Sequence, residues 1–158
     1  MNPVILTPVY RYFEPEYLDS CEKIGVAKLR QRGSACIHEA RDLLVYQAIQ
    51  AGFDILLFID SDIAFEPADV DKVLKMCDET KGVVVGTYCS KAPPHAPIGF
   101  VVKDGIYAGM GFTAIHKEAL LKIILGLDLS PLLKVSESWP NTKCLRWFQY
   151  LQSNTFHM

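Results

Sequence analysis

The sequence is poor in the features that mark nucleic-acid, membrane or disulfide-stapled proteins. Its 16 Lys and Arg are outnumbered by 18 Asp and Glu, for a formal net charge of −2. There is no basic excess to track a phosphate backbone, so no nucleic-acid partner is expected. No apolar run approaches the roughly 18 residues that a bilayer-crossing helix needs, so no membrane span is expected. The opening MNPVILTPVYRYFEP lacks a basic region, a long apolar stretch and a small-residue cleavage site, and does not read as a secretory signal. The five cysteines, Cys21, Cys36, Cys77, Cys89 and Cys144, are odd in number, scattered and without CxxC spacing. That argues against a disulfide framework or a zinc site and predicts free thiols in a cytoplasmic protein. Internal repeats and low-complexity segments are also lacking.

What is there is a chain of 158 residues, half of them hydrophobic, with enough core for one domain. Its signals alternate. PVILTPVY (residues 3–10) reads as a strand, EPEYLDSCEKIG as a helix stopped by Gly25, and VAKLR as a brief strand. A helix is predicted from Ser34, with Ile37, Ala40, Leu44, Ala48 and Ala51 on one face and Gly52 as its stop. FDILLFID (residues 53–60) is a continuous apolar run, the pattern of a central strand covered on both faces. Pro67 opens a helix with Val70, Val73, Leu74 and Cys77 as its stripe, and GVVVGTY is the next buried strand. SKAPPHAP is an irregular loop. IGFVVKDGIYAGMGFTAIH reads as a hairpin turning at Asp104-Gly105, before a helix over residues 117–125. The fold class is therefore α/β, with a mostly parallel central sheet flanked by helices and a small antiparallel hairpin.

One stretch carries chemistry. In LLFIDSDIAFEP the apolar strand ends in two aspartates, Asp60 and Asp62. If both are extended, residues i and i+2 share a face and both carboxylates aim at one point. In open α/β sheets, ligands bind beyond the carboxyl ends of the strands. Two close carboxylates need a proton or a cation between them, and oxygen ligands suit Mg²⁺ or Mn²⁺ completed by substrate phosphates and water. The plainer alternative is that Asp60 pairs with an arginine and Asp62 caps the following turn.

The segments around this pair, HEARDLLVYQAIQAGFDILLFIDSDIAFEPADVDKVL, GVVVGTYCSK and YAGMGFTAIHKEAL, resemble GT-A-fold glycosyltransferases, the nucleotide-sugar-dependent family with a DxD motif (the family 2-like group). The resemblance runs from Pro3 to about Leu125, with the segments in the family's order. It implies a Rossmann-like GT-A domain over residues 1–158. Residues 1–90 would be the nucleotide-binding half, 91–126 the donor/acceptor-cleft half, and 127–158 a divergent C-terminal segment. It also implies transfer of a sugar from a UDP- or GDP-linked nucleotide-diphospho-sugar to a hydroxyl of a glycan, lipid or protein acceptor.

Carried over residue by residue, the resemblance implies that Thr7, Pro8, Val9 and Tyr10 hold the base and ribose. Asp62 would bind Mn²⁺ or Mg²⁺ directly, with Asp60 as ribose or indirect metal partner and Ser61 between them. Arg41 would brace Asp60 or the donor, and Lys91 would reach the diphosphate as a point charge. Gly109, Met110 and Gly111 would line the sugar and acceptor cleft; glycines within a strand mark close approach or a bulge. Asp42 stands where the relatives more often carry asparagine. The late acidic segment that supplies the family's base has no match. Asp128 and Glu137 are the candidates left, and His157 is a candidate late metal ligand. Two further readings remain: a non-catalytic or truncated nucleotide-sugar-binding module, and a haloacid dehalogenase-like phosphatase with Asp60 as nucleophile. Against the last, the motif lies on a later strand and Ala64 stands where that family carries Thr or Val. The aromatic tail, Trp139, Trp147, Phe148 and Tyr150, is expected to pack on the domain or form a homodimer surface.

Overall fold

The computed structural model describes residues 1–89 and 109–126, with the strand backbone of 97–98, 100–102 and 105–107. The elements run β1 (Pro3–Val9), α1 (Pro15–Glu22), β2 (Ala27–Arg32), α2 (Ile37–Gln50), β3 (Ile55–Ile59), α3 (Pro67–Thr80) and β4 (Val83–Val85). They continue with β5 (Tyr88–Cys89), β6 (Pro97–Ile98), β7 (Phe100–Val102), β8 (Gly105–Tyr107), β9 (Phe112–His116) and α4 (Lys117–Gly126). A five-stranded sheet in the order β2-β1-β3-β9-β4 forms the centre, and β5-β6 and β7-β8 are two-stranded additions. β1 pairs in parallel with both β2 and β3, whereas β9 is antiparallel to β3 and to β4.

The pleat divides the apolar residues of the sheet between two cores. Ile5, Ile55, Leu57, Ile59, Phe112 and Ala114 meet Tyr17 and Cys21 of α1 and Val70, Val73, Leu74 and Cys77 of α3. Val4, Leu6, Leu56, Phe58 and Ile115 meet Leu44, Val45 and Ala48 of α2 and Leu120 of α4. Helices therefore cover both faces, which is why all five residues of β3 are buried and its sequence shows no alternation. The stripe expected on α3 is the buried one. Pro67 sits in its first turn, and Glu66 and Asp69 on either side of it form a reciprocal capping box.

The structure departs from the sequence expectations in three places. The helix expected from Ser34 starts at Ile37. The Ser34 hydroxyl instead receives the Cys36 amide at 3.2 Å and donates to the Cys36 carbonyl at 2.8 Å, a local turn that competes with helix. Ile37 and Ala51, expected on the buried face, are exposed. GVVVGTY is not one buried strand: β4 stops at Val85, forms the sheet edge and leaves Val83 and Val85 more than a third exposed. The run from Ile98 to His116 is not a single hairpin. β7 and β8 form the hairpin, and FTAIH leaves it to enter the main sheet between β3 and β4. Gly105 pairs with Val102 inside β8, so it is a strand residue; Asp104 lies outside the described residues. No helix among the described residues is long and apolar enough to cross a membrane.

Candidate functional site

The strand order turns at β1. The chain goes to β2 on one side of it and then returns past it to β3 on the other. The carboxyl ends of β1 and β3 thus flank the switch point where ligands of open α/β sheets bind. A cleft of about 260 Å³ lies there. Its walls are Pro8, Val9 and Tyr10 from the end of β1, Ser34 and Ala35 ahead of α2, Ile37 and Ala40 from α2, and Asp60, Ser61 and Asp62 from the end of β3.

The acidic pair reaches the cleft by a route other than the pleat. β3 ends at Ile59, and residues 60–63 close a turn in which the Ile63 amide donates to the Asp60 carbonyl at 3.1 Å. The extended-strand argument for a shared face therefore does not hold, but the turn still brings both aspartates to one cavity. Two outside contacts fix it. The Asp60 amide donates to the Gly111 carbonyl at 2.9 Å, and the Glu14 amide donates to the Ser61 carbonyl at 2.9 Å. The first ties the turn to β9, the second to the start of α1.

Arg41, from the buried side of α2, donates from Nη2 to Oδ1 of Asp60 at 2.8 Å, a charge-assisted bond. The Arg41 side chain is 6% exposed and that of Asp60 26%. Both the bracing role and the simple ion pair expected for these residues come down to this one contact.

On the other side of Asp60 lies Gly111. A side chain there would put its Cβ 3.0 Å from Oδ2 of Asp60, 2.8 Å from the Tyr88 hydroxyl and 2.7 Å from Cδ1 of Ile63. Gly111 is thus closely approached, by side chains and just ahead of β9, where the sequence reading expected a glycine inside a strand approached by a ligand or backbone. Burial pushes the Tyr88 phenol above its ordinary value. A hydrogen bond from the Gly111 backbone opposes the rise, and the negative charge of Asp60 adds to it. Tyr88 and Ile63 also line a second cavity, of about 320 Å³, floored by Phe65 and Phe112. The 60–63 turn therefore contributes to both cavities.

The remaining sequence candidates fall out as follows. Pro8, Val9, Tyr10 and Ser61 line the cleft; Tyr10 is 61% exposed and carries the Arg11 guanidinium 5.1 Å above its ring. Thr7 is fully buried, with its hydroxyl 2.6 Å from that of Tyr17, and does not line the cleft. Gly109 is half-buried and its carbonyl accepts from the Thr113 hydroxyl at 3.3 Å; Met110 packs on the α2 side of the sheet. Lys91, Asp128, Glu137, His157 and the aromatic tail lie outside the described residues. His116, at the junction of β9 and α4, caps the helix, with Nδ1 accepting the Glu118 amide at 3.2 Å. Sequence reasoning missed Ser34 and Ala35 as lining residues; Gly33, at φ +81, marks the bend that delivers them.

Among the described residues, no group of three or more His, Cys, Asp and Glu side chains gathers as a metal cage. The donor set present is Asp62, exposed at the cleft, and Asp60, with one oxygen committed to Arg41. That fits a hard divalent cation held by one or two carboxylates and completed by water and phosphate oxygens, and does not fit an all-protein site.

No protein-family model matches the chain, and no curated protein sequence matches it. Among solved structures it is similar to A197 from STIV, with a TM-score of 0.63 and 21% identity over 85% of this chain and 72% of that one. At that identity the likeness speaks for the fold alone.

Proposed function

We propose that the protein is a metal-dependent glycosyltransferase of the GT-A type, taking a nucleotide-diphospho-sugar donor. The observation that carries the reading is the cleft at the β1/β3 switch point, where Tyr10, Asp60 and Asp62 meet in one cavity. Tyr10 offers an aromatic face for a base, with a guanidinium beside it. Asp62 is the direct cation ligand, exposed to the cleft. Asp60, oriented by Arg41, accepts hydrogen bonds from a ribose or from metal-bound water. When bound, Mn²⁺ or Mg²⁺ supplies Lewis-acid stabilisation of the leaving diphosphate.

Thermal unfolding with Mn²⁺ and UDP or GDP tests this. At millimolar ligand the melting temperature should rise by linkage, and Asp62→Ala should lose the metal-dependent part of the rise. No rise with either nucleotide in the presence of Mn²⁺ overturns the reading. A second reading, a module that binds donor without transferring it, has one observation in its favour. Of the two described carboxylates in the cleft, Asp60 is engaged by Arg41 and Asp62 is assigned to the metal, so neither is placed to take the acceptor's proton. Donor hydrolysis or transfer in a binding-competent sample separates the two.

A further inference from the structure

We infer that Ser20 of α1 is a positioning residue for Asp62, acting through the backbone of residues 61–65; this rests on the function proposed above. The two cleft aspartates are held by different elements. Asp60 is fixed by the Gly111 carbonyl ahead of β9 and by Arg41 of α2. The backbone around Asp62 is fixed from α1. The Ser61 carbonyl, one residue before Asp62, accepts the Glu14 amide at 2.9 Å, and Glu14 is the N-cap of α1. The Phe65 amide, three residues after Asp62, donates to the Ser20 hydroxyl at 3.0 Å. One helix therefore brackets Asp62 on both sides.

The bonding inventory gives Ser20 its direction. A hydroxyl has one proton to give and lone pairs to accept with. The Ser20 proton goes to the Glu16 carbonyl, 2.8 Å away and one turn back in α1, which leaves a lone pair for the Phe65 amide. Back-bonding of this kind is ordinary for a serine inside a helix. The second bond, across 45 residues to a backbone amide outside the helix, is what ties α1 to the acidic turn. Ser20 is 4% exposed and Phe65 6%, so water does not replace the bond if the hydroxyl is removed. The Phe65 ring also packs edge-on against Tyr17, with centroids 6.1 Å apart, so ring and amide both hold the residue to α1. A binding carboxylate has to be held to within about 0.5 Å of its productive geometry. With Ser61 and Phe65 both tied to α1, the backbone of Asp62 is ordered before a ligand arrives, which lowers the cost of binding.

The test uses the full chain as wild type, Ser20→Ala, Asp62→Ala, the double variant and Leu18→Ala. Leu18 lies on the same helix and packs against the same core, but its side chain forms no hydrogen bond, so its variant controls for lost stability alone. Each protein is melted without ligand and titrated with UDP or GDP, with and without Mn²⁺. The quantity read is the factor by which Mn²⁺ tightens nucleotide binding. Ser20→Ala should shrink that factor by about 3- to 10-fold, the worth of one hydrogen bond, and leave metal-free nucleotide binding close to wild type. Leu18→Ala should melt below wild type and keep the full factor. The double variant should show no smaller factor than Asp62→Ala alone. Glu14→Pro is a second probe, which deletes the amide that holds Ser61. Glu14 has φ −68, which proline adopts, and the variant should shrink the factor as Ser20→Ala does. A full Mn²⁺ factor in Ser20→Ala or in Glu14→Pro, or an equal loss in Leu18→Ala, overturns the role of Ser20 and leaves the nucleotide site standing. A wild type that binds neither UDP nor GDP with Mn²⁺ overturns both.

Discussion

At the scale of single residues, the Arg41–Asp60 contact does structural work whatever ligand the cleft takes. The guanidinium is almost wholly buried, so removing this carboxylate takes one charge-assisted bond from a cation that water hardly reaches. Asp60→Ala should cost about 1–3 kcal/mol in urea unfolding. An unchanged midpoint would mean that other contacts carry the arginine. Tyr17 gives a pH dependence with a definite sign. Burial, joined by contacts with Cys21, pushes its phenol up to about 12, against the pull of the Thr7 hydroxyl. An unfolded tyrosine ionises near 10, so the folded state keeps the neutral form to higher pH. The stability this contributes is whole below about pH 10 and is lost as pH climbs towards 12. The Cys77 thiol, raised by burial to about 11, acts in the same direction from lower pH. Tyr17→Phe should therefore melt below wild type at pH 8 for want of the Thr7 hydrogen bond, and the gap should narrow by pH 11. A gap that stays constant would show that the phenol has no part in the alkaline loss.

At the scale of elements, the decisive event is the entry of β9 between β3 and β4. It lets a short apolar strand, Phe112 to His116, bury all five of its residues while β4 is displaced to the edge. Gly86 makes room for this. Its amide donates to the Phe112 carbonyl at 2.8 Å, and a Cβ on it would stand 2.1 Å from Cδ1 of the Phe112 ring. Gly86→Ala should destabilise by about 1–3 kcal/mol, as overpacking does. Combining it with Phe112→Leu, which removes the obstructing ring, should cost less than the sum of the two single changes. Strict additivity in chemical denaturation would remove the ring contact as the cause.

At the scale of the whole molecule, the cleft is assembled from segments far apart in the chain: the end of β1, the approach to α2 and the turn after β3. A ligand bound across them holds the first half of the fold together, so occupancy should read out as global stability. At a ligand concentration about 100 times Kd the linkage is worth about 2.7 kcal/mol. Wild type with Mn²⁺ and a tightly bound nucleotide should gain on that order in equilibrium unfolding, and Asp62→Ala should gain less. Equal gains in the two would move the metal away from Asp62.

What the sequence by itself determined is the local alternation of strand and helix, the doubly covered β3, and an acidic pair at its end. Each depends on neighbours a few residues apart, whose periodicity and turn chemistry are written in order along the chain. Only the tertiary structure decided that Arg41 grips Asp60, that Gly111 closes on it from the other side, that Thr7 turns into the core, and that β9 runs antiparallel inside the sheet. These contacts join residues 10 to 61 positions apart in the sequence. Such pairings follow from which faces must be buried together, and short-range periodicity carries no record of them.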